Sequence, residues 1–73
     1  MSVSWYLARD PDGSISRVIR IHDEPDALWG EYLRDGVWVK DPVVLDVRTD
    51  DTWGSAVSAA EGEAAARSCG AQD

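Results

Sequence analysis

Apolar and polar residues alternate along the first part of the chain, which is the pattern of strands with one buried face. Val3, Trp5 and Leu7 alternate with Ser, Tyr and Ala, and the alternation resumes over residues 15–21. Between the two runs, residues 10–13 read Asp-Pro-Asp-Gly, a sequence that favours a type I turn. The pattern therefore predicts a β-hairpin over residues 1–21.

One position in the second strand of this hairpin does not fit the alternation. The predicted faces are Ile15, Ile19 and Ile21 on one side, with Val18 and Arg20 on the other. Arg17 falls on the apolar side. Either it lies at the sheet margin, with its aliphatic stem packed and its guanidinium in water, or a β-bulge shifts the register.

The densest apolar and aromatic run, residues 28–40, is folded about Asp35-Gly36 and predicts a second hairpin. A three-residue loop over residues 34–36 would pair Leu33 with Val37, Tyr32 with Trp38, and Glu31 with Val39. One face would then hold Trp29, Leu33, Val37 and Val39 with Glu31 as the exception, and the other Leu28, Gly30, Tyr32, Trp38 and Lys40. A two-residue turn would instead pair Leu33 with Trp38 and Glu31 with Lys40, moving Trp38 to the opposite face. We favour the three-residue loop, because it separates a mostly aliphatic face from an aromatic one.

A helix competes for the first half of this run. Leu28 and Tyr32, like Trp29 and Leu33, stand four residues apart, as on one side of a helix. Gly30 argues against it, since glycine costs roughly 1 kcal/mol in a helix interior.

The remaining segments carry turn and helix signals. Residues 22–26 form a polar connection broken by proline, and Asp41-Pro42 favours a helical turn over residues 42–46, with a strand as the alternative. Residues 48–55 are expected to form a loop in which Trp53 folds back over the core edge. Ser58 and Glu61 have the spacing of a capping box, so a helix should begin there, with Gly70 as its stop. The small residues expected to face the sheet are Ala59, Gly62, Ala65, Ala66 and Cys69.

Together these elements predict the α+β class: a small antiparallel sheet of two β-hairpins with a C-terminal α-helix packed on one face. We expect one domain over residues 1–70 and a frayed tail over residues 71–73. A chain of 73 residues buries only about 60% of the surface its unfolded form exposes, which leaves little room for an enclosed active site.

The charge balance disfavours nucleic acid and anionic membranes as binding partners. Fourteen acidic residues against seven basic ones give a formal net charge of −7, which repels nucleic-acid phosphates and anionic lipid. We expect no nucleic-acid or membrane partner and, without a signal-like or membrane-spanning segment, a cytoplasmic location.

Cys69 is the single cysteine, so no disulfide forms within the chain. One lysine and no asparagine suggest a GC-rich bacterial or phage source.

Three patterns in the sequence bear on catalysis, metal binding or nucleic-acid binding. Asp10, Asp12 and Ser14 resemble the start of a calcium loop, but the twelfth position is Ile21 where a carboxylate is required. His22 beside Asp23 and Glu24 could be a base oriented by a carboxylate, or one ligand of a metal site, yet a surface linker residue is the simpler interpretation. Arginines interleaved with aromatic residues would suit a single-stranded nucleic-acid platform, which the acidic charge disfavours. We therefore expect no catalytic residues, no metal and no cofactor.

The leading functional hypothesis is a non-enzymatic acidic protein-interaction module, such as a small regulator, inhibitor or adaptor, binding a protein partner or a second copy through the second hairpin. Tyr, Trp and Arg are enriched at contact hot spots, so the predicted partner-binding residues are Leu28, Tyr32, Arg34, Trp38 and Lys40. The alternative is that the C-terminal helix simply covers this face. A second hypothesis is an acidic mimic of nucleic acid that occupies a nucleic-acid-binding protein, using Asp10, Asp12, Asp23, Glu24, Asp26, Asp50 and Asp51. A small enzyme ranks third.

Overall fold

A computed structural model describes residues 2–49 and 54–71, in which five antiparallel strands form one sheet with a helix against each face. The strands are β1 (Ser2–Arg9), β2 (Ile15–Glu24), β3 (Ala27–Arg34), β4 (Val37–Lys40) and β5 (Ser55–Val57), in the spatial order β4-β3-β2-β1-β5. A 3₁₀ helix spans Pro42–Arg48, and the C-terminal helix α1 spans Ala59–Ser68. The α+β class predicted from the sequence is confirmed.

Both predicted hairpins are present, and a further tight turn joins them side by side. β1 pairs with β2 and β3 with β4, while Pro25-Asp26 connects β2 to β3 so that Glu24 stands opposite Ala27. The expected connection over residues 22–26 is therefore wrong for its first half, because β2 continues through His22 to Glu24.

A β-bulge lies next to Arg17, which stays exposed on the face of Ile19 and Ile21. Ala8 pairs with Arg17 but Arg9 pairs with Ile15, so the second strand carries one extra residue at this point. The bulge alternative is confirmed. The extra residue also moves Ile15 away from Ile19 and onto the face of Val18, so its predicted face is wrong.

The turn between β3 and β4 has two residues, not three. Asp35 and Gly36 both have positive φ angles, 53° and 79°, and Arg34 pairs directly with Val37. This is the type I′ geometry, whose twist matches that of the flanking strands and which Asp-Gly readily adopts. The preferred three-residue register is wrong, and the two-residue alternative holds, with Leu33 opposite Trp38.

The sheet has a buried cluster on each face. On the α1 side the buried residues are Trp5, Leu7, Val18, Ala65 and Ala66, and on the 3₁₀ side Ile19, Ile21, Val44 and Val47. Gly62 lets α1 lie close to the sheet, because a Cβ there would stand 2.6 Å from Trp5. Gly30 does the same for the 3₁₀ helix, since a Cβ would stand 2.4 Å from a Cγ of Val44.

The ends of both helices follow local signals. Asp41 caps the 3₁₀ helix by accepting a hydrogen bond from the Val43 amide at 3.0 Å, so the predicted helical turn is confirmed and the strand alternative is wrong. Ser58 Oγ accepts from the Glu61 amide at 3.2 Å and caps α1 as predicted. After α1, Gly70 has φ 87°, and the Ala71 amide bonds the Ala66 carbonyl at 2.9 Å, which is a Schellman ending.

Two further details differ from the sequence interpretation. Of the small residues expected to face the sheet, Ala59 and Cys69 are exposed at the ends of α1. The loop expected over residues 48–55 ends earlier, because Ser55 opens β5 against β1. Trp53, expected to fold over the core edge, lies outside the described residues, as do Asp50 and Asp51.

Candidate functional site

The α1 side of the sheet is only partly covered. The helix packs mainly over β1 and β2, against Trp5, Leu7 and Val18, and covers β3 and β4 less, where Leu33 and Trp38 border this buried cluster. The pairing of β2 with β3 and of β3 with β4 brings together six polar and aromatic side chains there, which we call the cation–tryptophan cluster: Arg20, His22, Trp29, Glu31, Trp38 and Lys40.

Glu31 is the centre of this cluster. Only 7% of the residue is exposed, and its Oε1 accepts from Arg20 Nε and lies 2.9 Å from His22 Nε2. Arg20 is its direct cross-strand partner on β2. A buried carboxylate is costly unless it is paired and hydrogen bonded. The cationic partner on β2 therefore makes this position tolerable for Glu31.

The Arg20 guanidinium also holds Trp38. Its Cζ lies 3.8 Å from the centroid of the Trp38 ring, within the range of a cation–π contact. Trp38 in turn meets Trp5 edge to face, with ring centroids 5.9 Å apart and planes at 74°. The half-buried Trp38 ring is thus fixed by the Arg20 guanidinium over its face and by the T-shaped contact with Trp5.

Trp29 is fixed in a similar way at the other end of the cluster. The His22 ring stacks on it, with centroids 4.0 Å apart and planes at 10°, and Lys40 Nζ lies 4.8 Å from the Trp29 centroid. The indole Nε1 donates to Glu24 Oε1 at 2.9 Å. Both tryptophan rings therefore lie in defined positions on an open part of the sheet face.

A groove of about 230 Å³ runs between this cluster and α1. It is lined by Trp5, Arg20, Trp38, Glu63, Ala66, Arg67 and Ala71. Its walls thus combine two indole rings with charged side chains of both signs. Such a groove can receive a side chain that is apolar along its length and polar at its end.

The five predicted partner-binding residues do not share one face. Trp38 and Lys40 lie on the α1 side, because they pair with Leu33 and Glu31 there. Leu28, Tyr32 and Arg34 lie on the 3₁₀ side, where Tyr32 packs against the buried cluster. Leu28 lines a second, more apolar groove of about 320 Å³, which Trp29 and Lys40 also line. The predicted single aromatic face is wrong, because it depended on the three-residue turn. Whether any of the five binds a partner stays a prediction.

Sequence reasoning missed Glu31, Arg20 and Trp29 as members of the site, and placed His22 in a linker. His22 is instead half-buried in β2, held by Glu31 and Trp29. One signal was available, since Glu31 was the exception on an otherwise apolar predicted face.

The Asp-Pro-Asp-Gly turn uses its carboxylates internally. Asp12 Oδ1 accepts from the Ser14 amide at 2.9 Å and from the Ser14 hydroxyl at 2.6 Å. These bonds, the hydroxyl first, lower the pKa of Asp12 below its ordinary value. Within residues 2–49 and 54–71, no group of three or more metal-ligating side chains is assembled.

Comparison with protein-family models, with curated proteins and with solved structures finds no match to this chain. In the described segments, no helix has the length and apolar character needed to cross a membrane.

Proposed function

We propose that the chain is a non-enzymatic acidic protein-interaction module, a small cytoplasmic regulator, inhibitor or adaptor, that meets its protein partner at the cation–tryptophan cluster. The observation that supports this proposal is the half-buried Trp38 ring, held by Arg20 on the open part of the sheet face. Tryptophan and arginine dominate contact hot spots, and rings fixed before binding lose little conformational entropy when a partner covers them.

The composition of the cluster supports the same proposal. A small domain that needed only a core at this position would gain more stability from apolar side chains than from a buried charge pair, which often contributes little net energy. Here Glu31, Arg20 and His22 take that place instead, and they orient Trp29 and Trp38. This arrangement favours recognition over packing alone.

The test compares two aromatic truncations on opposite faces. Trp38→Ala removes the ring from the cluster, while Tyr32→Ala removes a half-buried ring from the 3₁₀ side and serves as the matched control. Tagged wild type and both variants, each shown to be folded by circular dichroism, are used to capture partners from the source cell. We expect Trp38→Ala to weaken capture by about 30-fold or more, as for a hot-spot residue, and Tyr32→Ala to leave it nearly unchanged. Equal capture by both variants would contradict the cluster as the contact site.

A second candidate is the nucleic-acid mimic, favoured by the placement of carboxylates at both ends of the sheet. Asp10 and Asp12 lie in the β1–β2 turn, and Asp23, Glu24 and Asp26 lie at the β2–β3 end. Affinity based on such exposed charges falls steeply with salt, whereas an aromatic contact changes little. Capture that survives Trp38→Ala but is lost on raising the salt concentration would favour the mimic.

A further inference from the structure

The outer side of β4 is an open strand edge. β4 is terminal in the sheet, and in the described part of the chain it pairs with β3 alone. In an antiparallel pair, the backbone groups of successive residues point alternately toward and away from the neighbouring strand. Because a two-residue turn makes Arg34 and Val37 a hydrogen-bonded pair, Val37 and Val39 point toward β3, and the Asp41 amide continues this series by donating to Gly30 at 3.1 Å. The amide and carbonyl of Trp38 and Lys40 therefore point outward.

The first three side chains of β4 are apolar, and Lys40 is the only charged side chain within the strand. Proteins usually protect an open edge with charges or proline. Here Val37, at the start of β4, is 58% exposed, more than any other large apolar residue in residues 2–49 and 54–71. Val37 and Val39 lie on the 3₁₀ side of the strand, and Trp38 and Lys40 on the α1 side. The edge thus offers both backbone hydrogen-bonding groups and an apolar stripe.

We propose that β4 pairs antiparallel with β4 of a second copy of this chain, about a two-fold axis at Trp38. In this register Trp38 stands opposite Trp38 of the second copy, and the two exchange a reciprocal pair of backbone hydrogen bonds. Val37 stands opposite Val39 of the second copy, so the valines of both chains form one apolar stripe on the 3₁₀ side. The contact is isologous, as in most homodimers.

The charges at the ends of β4 favour a second copy over an unrelated peptide. The register places Lys40 beside the Asp35-Gly36 turn of the other copy. The Asp35 side chain is 93% exposed, and its own-chain ion pair with Arg34 is long, at 4.0 Å. Asp35 can therefore accept Lys40 of the second copy, and the two-fold axis makes two such contacts. The turn and Asp41-Pro42 bound β4 at its two ends, and the opposite sheet edge is the three-residue β5. The pairing therefore closes at two copies and does not propagate.

The pairing uses the strand edge and not the open faces of the tryptophan rings, so it stands whether or not the cluster binds another protein. It also sets the two Trp38 rings side by side on the α1 face, which would present a partner with a doubled tryptophan surface.

The first test is the mass of the protein in solution. Sedimentation equilibrium over a range of concentrations should show wild type approaching twice the 8.0 kDa mass of the chain. Val37→Glu should weaken the dimer by about tenfold or more, because it places a carboxylate in the valine stripe. The new carboxylate faces Arg34 within its own chain, so the fold should persist. Val3→Glu is the matched control, since Val3 is also exposed and lies on β1, away from β4.

A cross-linking experiment tests the register. Val37→Cys and Val39→Cys proteins, both carrying Cys69→Ser, are mixed and oxidised. Residues 37 and 39 of opposite copies form a non-hydrogen-bonded pair with Cα atoms about 4.5 Å apart, which suits a disulfide. We expect the mixture to cross-link at least about tenfold faster than either protein alone.

A wild type that stays monomeric, or a dimer that neither responds to Val37→Glu nor cross-links in this pattern, overturns the proposal. A partner captured by Val37→Glu but not by Trp38→Ala would leave the proposed function standing even then.

Discussion

Replacement of Glu31 by glutamine tests whether the cation–tryptophan cluster is held by charge. The substitution keeps the shape of the side chain and one acceptor oxygen but removes the negative charge that faces Arg20 and His22. A hydrogen bond to a charged group contributes about 1.5–3 kcal/mol. The Arg20 side chain is 27% exposed, so water screens part of the interaction, while Glu31 itself is nearly inaccessible. We therefore expect Glu31→Gln to lower the free energy of unfolding by about 1.5–2.5 kcal/mol.

The assay is equilibrium unfolding in urea, followed by tryptophan fluorescence. The midpoint should fall while the slope of the unfolding free energy against urea stays constant, since the surface exposed on unfolding is unchanged. Glu63→Gln is the matched control. It makes the same chemical change at an exposed residue of α1 and should alter stability by less than about 0.5 kcal/mol.

A double-mutant cycle of Glu31→Gln with Arg20→Met separates the Arg20–Glu31 ion pair from the contact of the guanidinium with Trp38, because Arg20→Met removes that second contact whether or not Glu31 is also replaced. Contacting residues of one network show coupling energies of about 0.5–3 kcal/mol, and we expect the upper half of that range. Equal urea midpoints for Glu31→Gln and Glu63→Gln, together with a coupling energy near zero, would refute the argument that Glu31 organises the cluster.

Three further predictions concern local structure. Gly36→Val should cost about 1–3 kcal/mol, because a β-branched residue is strained at φ 79°, whereas Gly36→Asn should cost clearly less; urea midpoints decide. Ser58→Ala should cost about 0.5–2 kcal/mol by removing the helix cap, and Ser68→Ala, exposed in the last turn of α1, should not destabilise. Ser14→Ala should raise the pKa of Asp12 toward 3.8, as followed by NMR titration. Because the folded pKa of Asp12 is the lower one, its contribution to stability is complete above about pH 3.8 and is lost as the pH falls through the folded pKa.

Signals contained within a few residues predicted the structure well. The alternation around Trp5 predicted β1, and Ser58 predicted the start of α1. Asp41-Pro42 predicted the 3₁₀ helix. The two helix starts depend on the caps formed by Ser58 and Asp41, and the strand depends on the alternation of its own side chains. All three are determined by neighbouring residues.

Features that depend on the register between paired strands were predicted less well. One additional residue in the second strand moved Ile15 to the other face, and one residue fewer in the β3–β4 turn moved Trp38. A one-residue change of register exchanges the two faces of a strand, so a small local error becomes a large error in the site. The three residues of β5 are too few to show a periodic pattern.

The β3–β4 register could nevertheless have been chosen correctly from the charges. The three-residue loop keeps one face mostly aliphatic, but it places Glu31 among apolar residues and opposite Val39. The two-residue turn places Glu31 beside Lys40, and on the β2 side it faces Arg20. An unpaired buried carboxylate costs several kcal/mol, whereas exchanging aliphatic for aromatic neighbours costs far less. In so small a sheet, the register that gives a buried charge its partner should therefore be preferred to the one that makes a face uniformly apolar.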